Sequence, residues 1–220
     1  MPEEHDPREL DRDLALAKAE HRRLLDALDA LVEADSLDMA APSALPGWTC
    51  GHVLTHITNS GDGHAGIFDA AAEGRIAQQY PGGVEGRAAD IETGSTRSAV
   101  EQLASLRQSI ANLEERWDAS DWQGSGIGPA GEVALKDLPF FRIREVAIHH
   151  VDLDIGYTFA DLQPEYVRLE LWRMGMLWKA RQPMGMTELP AQALQATPGV
   201  RLGWLMGRSE IDGLEPARVF

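Results

Sequence analysis

The chain has 220 residues, 44% of them hydrophobic and 25% charged, with a net charge of -15 and a sequence pI near 4.8. This is the composition of an ordinary globular chain, long enough for one large domain or one medium and one small one. The acidic balance repels phosphate backbones and anionic membrane surfaces, so neither nucleic acid nor membrane is expected as a partner.

No apolar run approaches the length that crosses a bilayer. The opening Glu3, Glu4 and Asp6 do not read as a signal peptide, which makes a cytoplasmic location the expectation. The single cysteine, Cys50, excludes an intrachain disulfide and a multi-cysteine zinc site. Any bound ion would have to use histidine and carboxylate ligands.

In chain order, Leu10, Leu14, Ala17, Leu24, Leu28 and Leu31 recur at helical spacing. They predict one amphipathic helix over roughly residues 7 to 34, with His21 inside its apolar stripe. Pro42, Pro46 and Gly47 end that pattern. Thr49 can cap a second helix that runs through His52, Leu54, His56 and Ile57 to about Ala72. Tyr80, Pro81, Gly82 and Gly83 form a loop before a third helix, marked by Val100, Leu103, Leu106, Ile110, Leu113 and Trp117. The glycine-rich stretch from Gly124 to Gly131 reads as another loop. Asp137 and Pro139 then open a fourth helix that reaches about Ile155. Four helices with apolar stripes bury one another as a bundle.

After Gly156 the pattern changes. Pro164 starts an amphipathic segment with Val167, Leu171, Met174 and Trp178. Beyond Pro183 come short pieces, a strand near Gln192 to Ala196 and a short helix holding Trp204 and Leu205. The expected fold class is mainly α, a four-helix bundle over residues 1–158 with a small α or α/β appendage over 159–220.

The fourth helix carries Arg142, Glu145, His149 and Asp152 at steps of three and four, which places them on one stripe. Such a stripe is equally a solvated face, but here its flanks are Phe140, Phe141, Val146, Ile148 and Val151. The Glu145/His149 spacing is one that bundles use to converge two ligands on an ion. His52 and His56 are likewise one turn apart on the second helix. Three ligands of mixed histidine and carboxylate type would leave an open coordination position, as in catalytic zinc sites.

Leu45-Pro-Gly-Trp-Thr-Cys-Gly-His52-Val-Leu-Thr-His56 and Arg142-Ile-Arg-Glu145-Val-Ala-Ile-His149-His150-Val-Asp152-Leu resemble the second-helix and fourth-helix signatures of the DinB-like, mycothiol-dependent maleylpyruvate isomerases. Arg87-Ala-Ala-Asp90-Ile-Glu92 and Gly203-Trp204-Leu-Met-Gly207-Arg208 are similar to further segments of that family, so the likeness spans nearly the whole chain. The resemblance implies a DinB-like bundle. It also implies a divalent ion, usually zinc, held by His52, Glu145 and His149. Cys50 stands where many members carry a basic residue and reads as a small helix-start residue. The C-terminal region is shorter than in the best-known isomerases.

The same resemblance implies a small thiol, mycothiol or another of low molecular weight, activated at the open metal position. It would add to the cis double bond of maleylpyruvate and leave after rotation, giving fumarylpyruvate. A dianionic substrate needs cations, and Arg208 and then Arg87 are the candidates. His56 reads as a cofactor-side or core residue behind the ligands, and Asp152 as the acceptor that orients a ligand imidazole. The expected partners are thus a small dicarboxylate and a small thiol, with a homodimer left open. Two rivals remain: S-transfer from the thiol to electrophiles or in biosynthesis, and a metal-binding module without turnover.

Overall fold

A computed structural model describes residues 7–181, 188–217 and 219. The acidic opening (Glu3, Glu4, Asp6) and Pro183 lie outside the described residues. The described chain divides into two compact units, one ending at Ile155 and one beginning at Gly156.

In the first unit α1 spans Pro7–Glu33, α2 Cys50–Ala72, α3 Gly83–Ser95, α4 Ala99–Ala119 and α5 Leu138–Asp152. The bundle is formed by α1, α2, α4 and α5, with α2 packed on α4 and α5, and α1 on α5 and α4. Its apolar centre joins Leu24 and Leu28 of α1 to Val53, Leu54 and Ile57 of α2, Leu106 and Ile110 of α4 and Val146 of α5. Fully burying a leucine or isoleucine side chain contributes about 1.5–3 kcal/mol, so these stripes drive the assembly. The mainly helical fold follows the expectation from the sequence.

Two helices begin at reciprocal caps. Ser98 accepts from the Glu101 amide, and the Glu101 carboxylate accepts from the Ser98 amide at 2.9 Å. Thr49 plays the same part for α2, with His52 in the third helical position. Asp154 (φ 57°) and Gly156 (φ 97°) take left-handed backbone just beyond α5 and turn the chain away.

Two elements differ from the sequence expectation. Residues 83–95 form α3, where no helix was foreseen; of its side chains only Ile91 and Ser95 are buried, so it carries almost no apolar stripe. It lies close on α2 because Gly51 and Gly94 lack side chains: a Cβ on Gly51 would stand 2.1 Å from the Ser95 carbonyl oxygen. The Gln102 amide of α4 stitches this crossing by donating to the Gly51 carbonyl, the Thr55 hydroxyl and the Gly94 carbonyl.

The glycine-rich stretch is not an open loop but an antiparallel hairpin, β1 Ser125–Gly128 and β2 Gly131–Ala134, turning at Pro129 and Ala130. The other edge of β1 is paired too, since Ile127 donates to the Ala77 carbonyl and accepts from the Gln79 amide, both at 2.9 Å.

In the second unit α6 spans Pro164–Arg181, α7 Ala191–Gln195 and α8 Pro198–Leu205. Tyr166, Val167 and Met174 of α6 are buried, as are Leu202, Trp204 and Leu205 of α8, and the two helices pack together. The strand expected near Gln192–Ala196 is instead α7. Ala191, Ala193 and Leu194 are strong helix formers, and Arg201 satisfies the terminal carbonyls of Ala193, Leu194 and Ala196. Among the described residues this unit has helices and no strand. No helix of the described residues is long and apolar enough to cross a membrane.

Candidate metal centre

On α2 and α5, the helical rise places His56 opposite Glu145 and His149. The potential ligand atoms of these three residues lie within 4.8 Å of one another, a grouping of the size that a single ion gathers. His56 Nε2 is 2.9 Å from Glu145 Oε2, and His149 Nε2 is 3.8 Å from the same oxygen. That oxygen is buried between the two rings. Two imidazoles gathered around one buried carboxylate oxygen make a mixed nitrogen and oxygen donor set of the kind that holds a cation. The imidazoles of His56 and His149 meet edge to face, with centroids 4.6 Å apart.

The protonation states suit the same role. Burial pushes the His56 imidazole below its ordinary value, outweighing the Glu145 carboxylate that pulls it up. Burial acts against the charge of Glu145, but the close approach of His56, with His149 and His64 around it, holds that carboxyl well below its usual range. A neutral imidazole and an ionised carboxylate are the forms that bind metal. His149 Nδ1 donates to Asp152 Oδ2 at 2.8 Å, and Asp152 is wholly buried. The proton is thereby fixed on Nδ1 and the Nε2 lone pair turned towards Glu145, an arrangement typical of metal-bound histidines.

Of the residues singled out from sequence, Glu145, His149 and Asp152 are thus brought together, and the third member of the cluster is His56. His52 stands one turn earlier and is engaged in the cap of α2. Its Nδ1 accepts from the Thr49 amide at 3.2 Å and lies 2.8 Å from the Thr49 hydroxyl. With both donors aimed at Nδ1, the proton of a neutral ring sits on Nε2, which is 3.5 Å from the Glu92 carboxylate. Thr49-x-x-His52 is itself a capping-box spacing, and that was the sequence signal for this role.

Arg87, from α3, reaches the cluster: its Nη2 is 3.2 Å from His56 Nδ1, and its guanidinium lies over the Tyr80 ring at 5.4 Å. Arg87 and Tyr80 also line an open hollow of about 390 Å³, together with Asn59, Asp62, Gln78 and Asp90. Arg208 follows α8 in the second unit, exposed, with Nη1 donating to the Met206 carbonyl at 2.7 Å. Cys50 is buried at the start of α2 and donates weakly to the Leu153 carbonyl, and burial raises its thiol pKa. That is the environment of an inert helix-start residue.

Sequence reasoning did not foresee the polar chain behind the centre. Fully buried Arg142 donates through Nε to His21 Nε2 at 3.0 Å, and His21 Nδ1 meets Glu114 at 2.7 Å. His21 stacks on Trp117 with centroids 5.7 Å apart. His64, also buried, has no partner for its Nδ1 among the described residues.

Residues 17–154 match the family model described as the mycothiol maleylpyruvate isomerase N-terminal domain. The fold is similar to that of a solved structure, "Crystal structure of the mycothiol-dependent maleylpyruvate isomerase", with a TM-score of 0.77 and 21% identity over 91% of this chain and 90% of that one. A histidine-to-alanine mutant of that isomerase matches with the same figures. No curated protein matches the sequence. The first unit is accordingly a DinB-like bundle.

Proposed function

From a chain that belongs to the mycothiol maleylpyruvate isomerase N-terminal domain family, we infer a metal- and thiol-dependent cis–trans isomerase acting on maleylpyruvate or a close analogue. The observation that carries this reading is the convergence of His56, Glu145 and His149 beside a hollow that Arg87 lines. These three side chains would hold a divalent ion, and their mixed nitrogen and oxygen donors suit zinc with an open position. When bound, such an ion supplies Lewis acidity and a lowered pKa for a thiol in that position. The thiol, by reversible addition, would make the substrate's cis double bond a single bond free to rotate.

The remaining work falls to this chain's own groups. Asp152 holds the proton of His149 on Nδ1 and fixes the ring's orientation. Burial keeps His56 neutral. Arg87 borders both the cluster and the hollow, which supports a role in pairing with a substrate carboxylate in the bidentate fashion guanidinium allows. Arg208 is the second cation proposed for the dianion. The acidic and amide groups of Asn59, Asp62, Gln78 and Asp90 would take the hydroxyl and amide groups of a polar thiol.

The test is metal content and turnover of the purified protein with variants. One equivalent of zinc is expected in the wild type, lost in His56→Ala and His149→Ala and retained in His52→Ala. Retention in His56→Ala with loss in His52→Ala would move the site to the earlier turn. Isomerisation of maleylpyruvate is expected only with a thiol present, with Arg87→Ala or Arg208→Ala impairing turnover but not metal binding. A stable S-conjugate in place of the trans isomer would make the protein an S-transferase, and zinc without any turnover a binding module.

A further inference from the structure

Among the described residues Arg142 is the largest side chain sealed from solvent, with no exposed surface, and the chemistry outlined above does not use it. A buried guanidinium is costly in an apolar interior, so its contacts are informative. Nε donates to His21 of α1 at 3.0 Å, and Nη1 donates to the main-chain carbonyl of Ile57 in α2 at 2.8 Å. Arg142 stands on α5 one turn before Glu145 and two before His149, while Ile57 directly follows His56. His21 is held in turn by Glu114 of α4 at 2.7 Å. Arg142 therefore ties α5 to α1 and α2, and His21 carries the link on to α4.

The local packing is shaped for this contact. In an α-helix the Ile57 carbonyl faces the amide of residue 61, and residue 61 is glycine. A Cβ there would lie 3.2 Å from Arg142 Nη2 and 2.6 Å from the Ser109 hydroxyl oxygen. That hydroxyl donates to the next α2 carbonyl, Thr58, at 2.9 Å. Two successive carbonyls of the turn after His56 are thus tied to α5 and α4 across a residue without a side chain.

We propose that Arg142 is a positioning residue that, through the Ile57 carbonyl, fixes the α2 turn carrying His56 against the α5 turns carrying Glu145 and His149. Metal–ligand distances hold to within about 0.2 Å, and a directed hydrogen bond to backbone is a stiffer spacer than apolar contact. The role rests on the metal reading of those three residues, but the brace is testable with or without an ion.

Arg142→Met removes the donors while keeping much of the volume. Gly61→Ala keeps Arg142 but crowds the Ser109 hydroxyl and, next, the guanidinium, with a residue of higher helix propensity, so failure of the first variant to fold does not end the test. Ile67→Ala, which opens a core cavity elsewhere on α2, controls for general loosening. The readouts are Co²⁺ affinity by chelator competition, the visible spectrum of the Co²⁺ protein and, in metal-free protein, the imidazole ¹⁵N signals of His56 and His149.

Both brace variants are expected to bind one ion about 10–100-fold more weakly, with shifted visible bands and displaced imidazole signals, while Ile67→Ala matches wild type. Wild-type affinity and spectrum in either folded brace variant, or equal changes in Ile67→Ala, overturn the brace. If the wild type binds no Co²⁺, the metal reading has failed, and the metal-free imidazole signals decide alone. Displaced in the brace variants only, they uphold the brace; unmoved, they overturn it.

Discussion

Acidifying the protein from pH 7 towards pH 4 forces protons onto imidazoles that the folded chain keeps neutral, His21 and His64 together with His56. His21 has no site left for it: Nδ1–H is directed at Glu114, and the Nε2 lone pair accepts from Arg142. A second proton would point at a buried guanidinium. Burial lowers the His21 pKa from 6.5 to about 4, with Glu114 opposing and Arg142 adding to the fall. Burial, aided by Arg142, lowers His64 to about 4 as well. Between those values the unfolded chain binds more protons than the folded one, so stability declines as pH falls below 6.5 and the loss is complete below about 4.

Each pKa unit corresponds to about 1.36 kcal/mol, so His21 and His64 each remove about 2 kcal/mol by pH 5 and about 3 kcal/mol at completion. For a domain of ordinary stability, the pair is a large share of the total. The assay is urea unfolding of chelator-treated protein at half-unit pH steps, since an ion would add its own pH dependence. His21→Gln and His64→Gln are each expected to remove a similar, substantial part of the slope between pH 6.5 and 4.5, with His56 supplying the remainder. A midpoint that stays constant from pH 7 to 5, or a double variant with the wild-type slope, would refute the assignment of buried neutral histidines.

Three further outcomes follow from contacts already described. Asp152→Asn removes the anionic acceptor of His149 Nδ1 and is expected to weaken zinc about 10–100-fold in a chelator competition; unchanged affinity would detach Asp152 from the site. Gly51→Ala places a methyl against the Ser95 backbone and is expected to cost about 1–3 kcal/mol in urea unfolding. Alanine's better helix propensity would show as stabilisation if that close approach were absent. Ser98→Ala deletes one half of the α4 capping box and is expected to cost about 1 kcal/mol, measured the same way; no loss would mean the cap is replaced by water.

The bundle helices were legible because Leu24, Leu28, Leu54, Leu106 and Val146 repeat at the period that a helix buries. By contrast, α3 was hidden because it packs through missing side chains, Gly94 against α2, and shows no stripe. The hairpin was hidden because its pairing is between backbones, and glycines there read as looseness. For the candidate metal centre, spacing on α5 led to Glu145, His149 and Asp152. On α2, His52 and His56 were equivalent by spacing, one turn apart. What separates them is the cap, where Thr49 claims the ring of His52, and the rotation of α2, which turns His56 inward. The Arg142–His21 contact joins residues 121 positions apart and leaves no local trace.

The hairpin carries a consequence for the hollow. Its strand β1 is flanked on one side by β2 and on the other by residues 77–79, the stretch that leads into Tyr80 and forms one wall. That wall is therefore pinned to the hairpin by a parallel bridge between Gln78 and Ile127. Fixing the backbone of a free loop costs about 1–2 kcal/mol per residue in conformational entropy. Here that ordering is completed during folding, so a ligand meets a preorganised surface and keeps more of its contact energy as affinity. The same pairing should slow hydrogen exchange at the Gln79 and Ile127 amides well below that of an open loop.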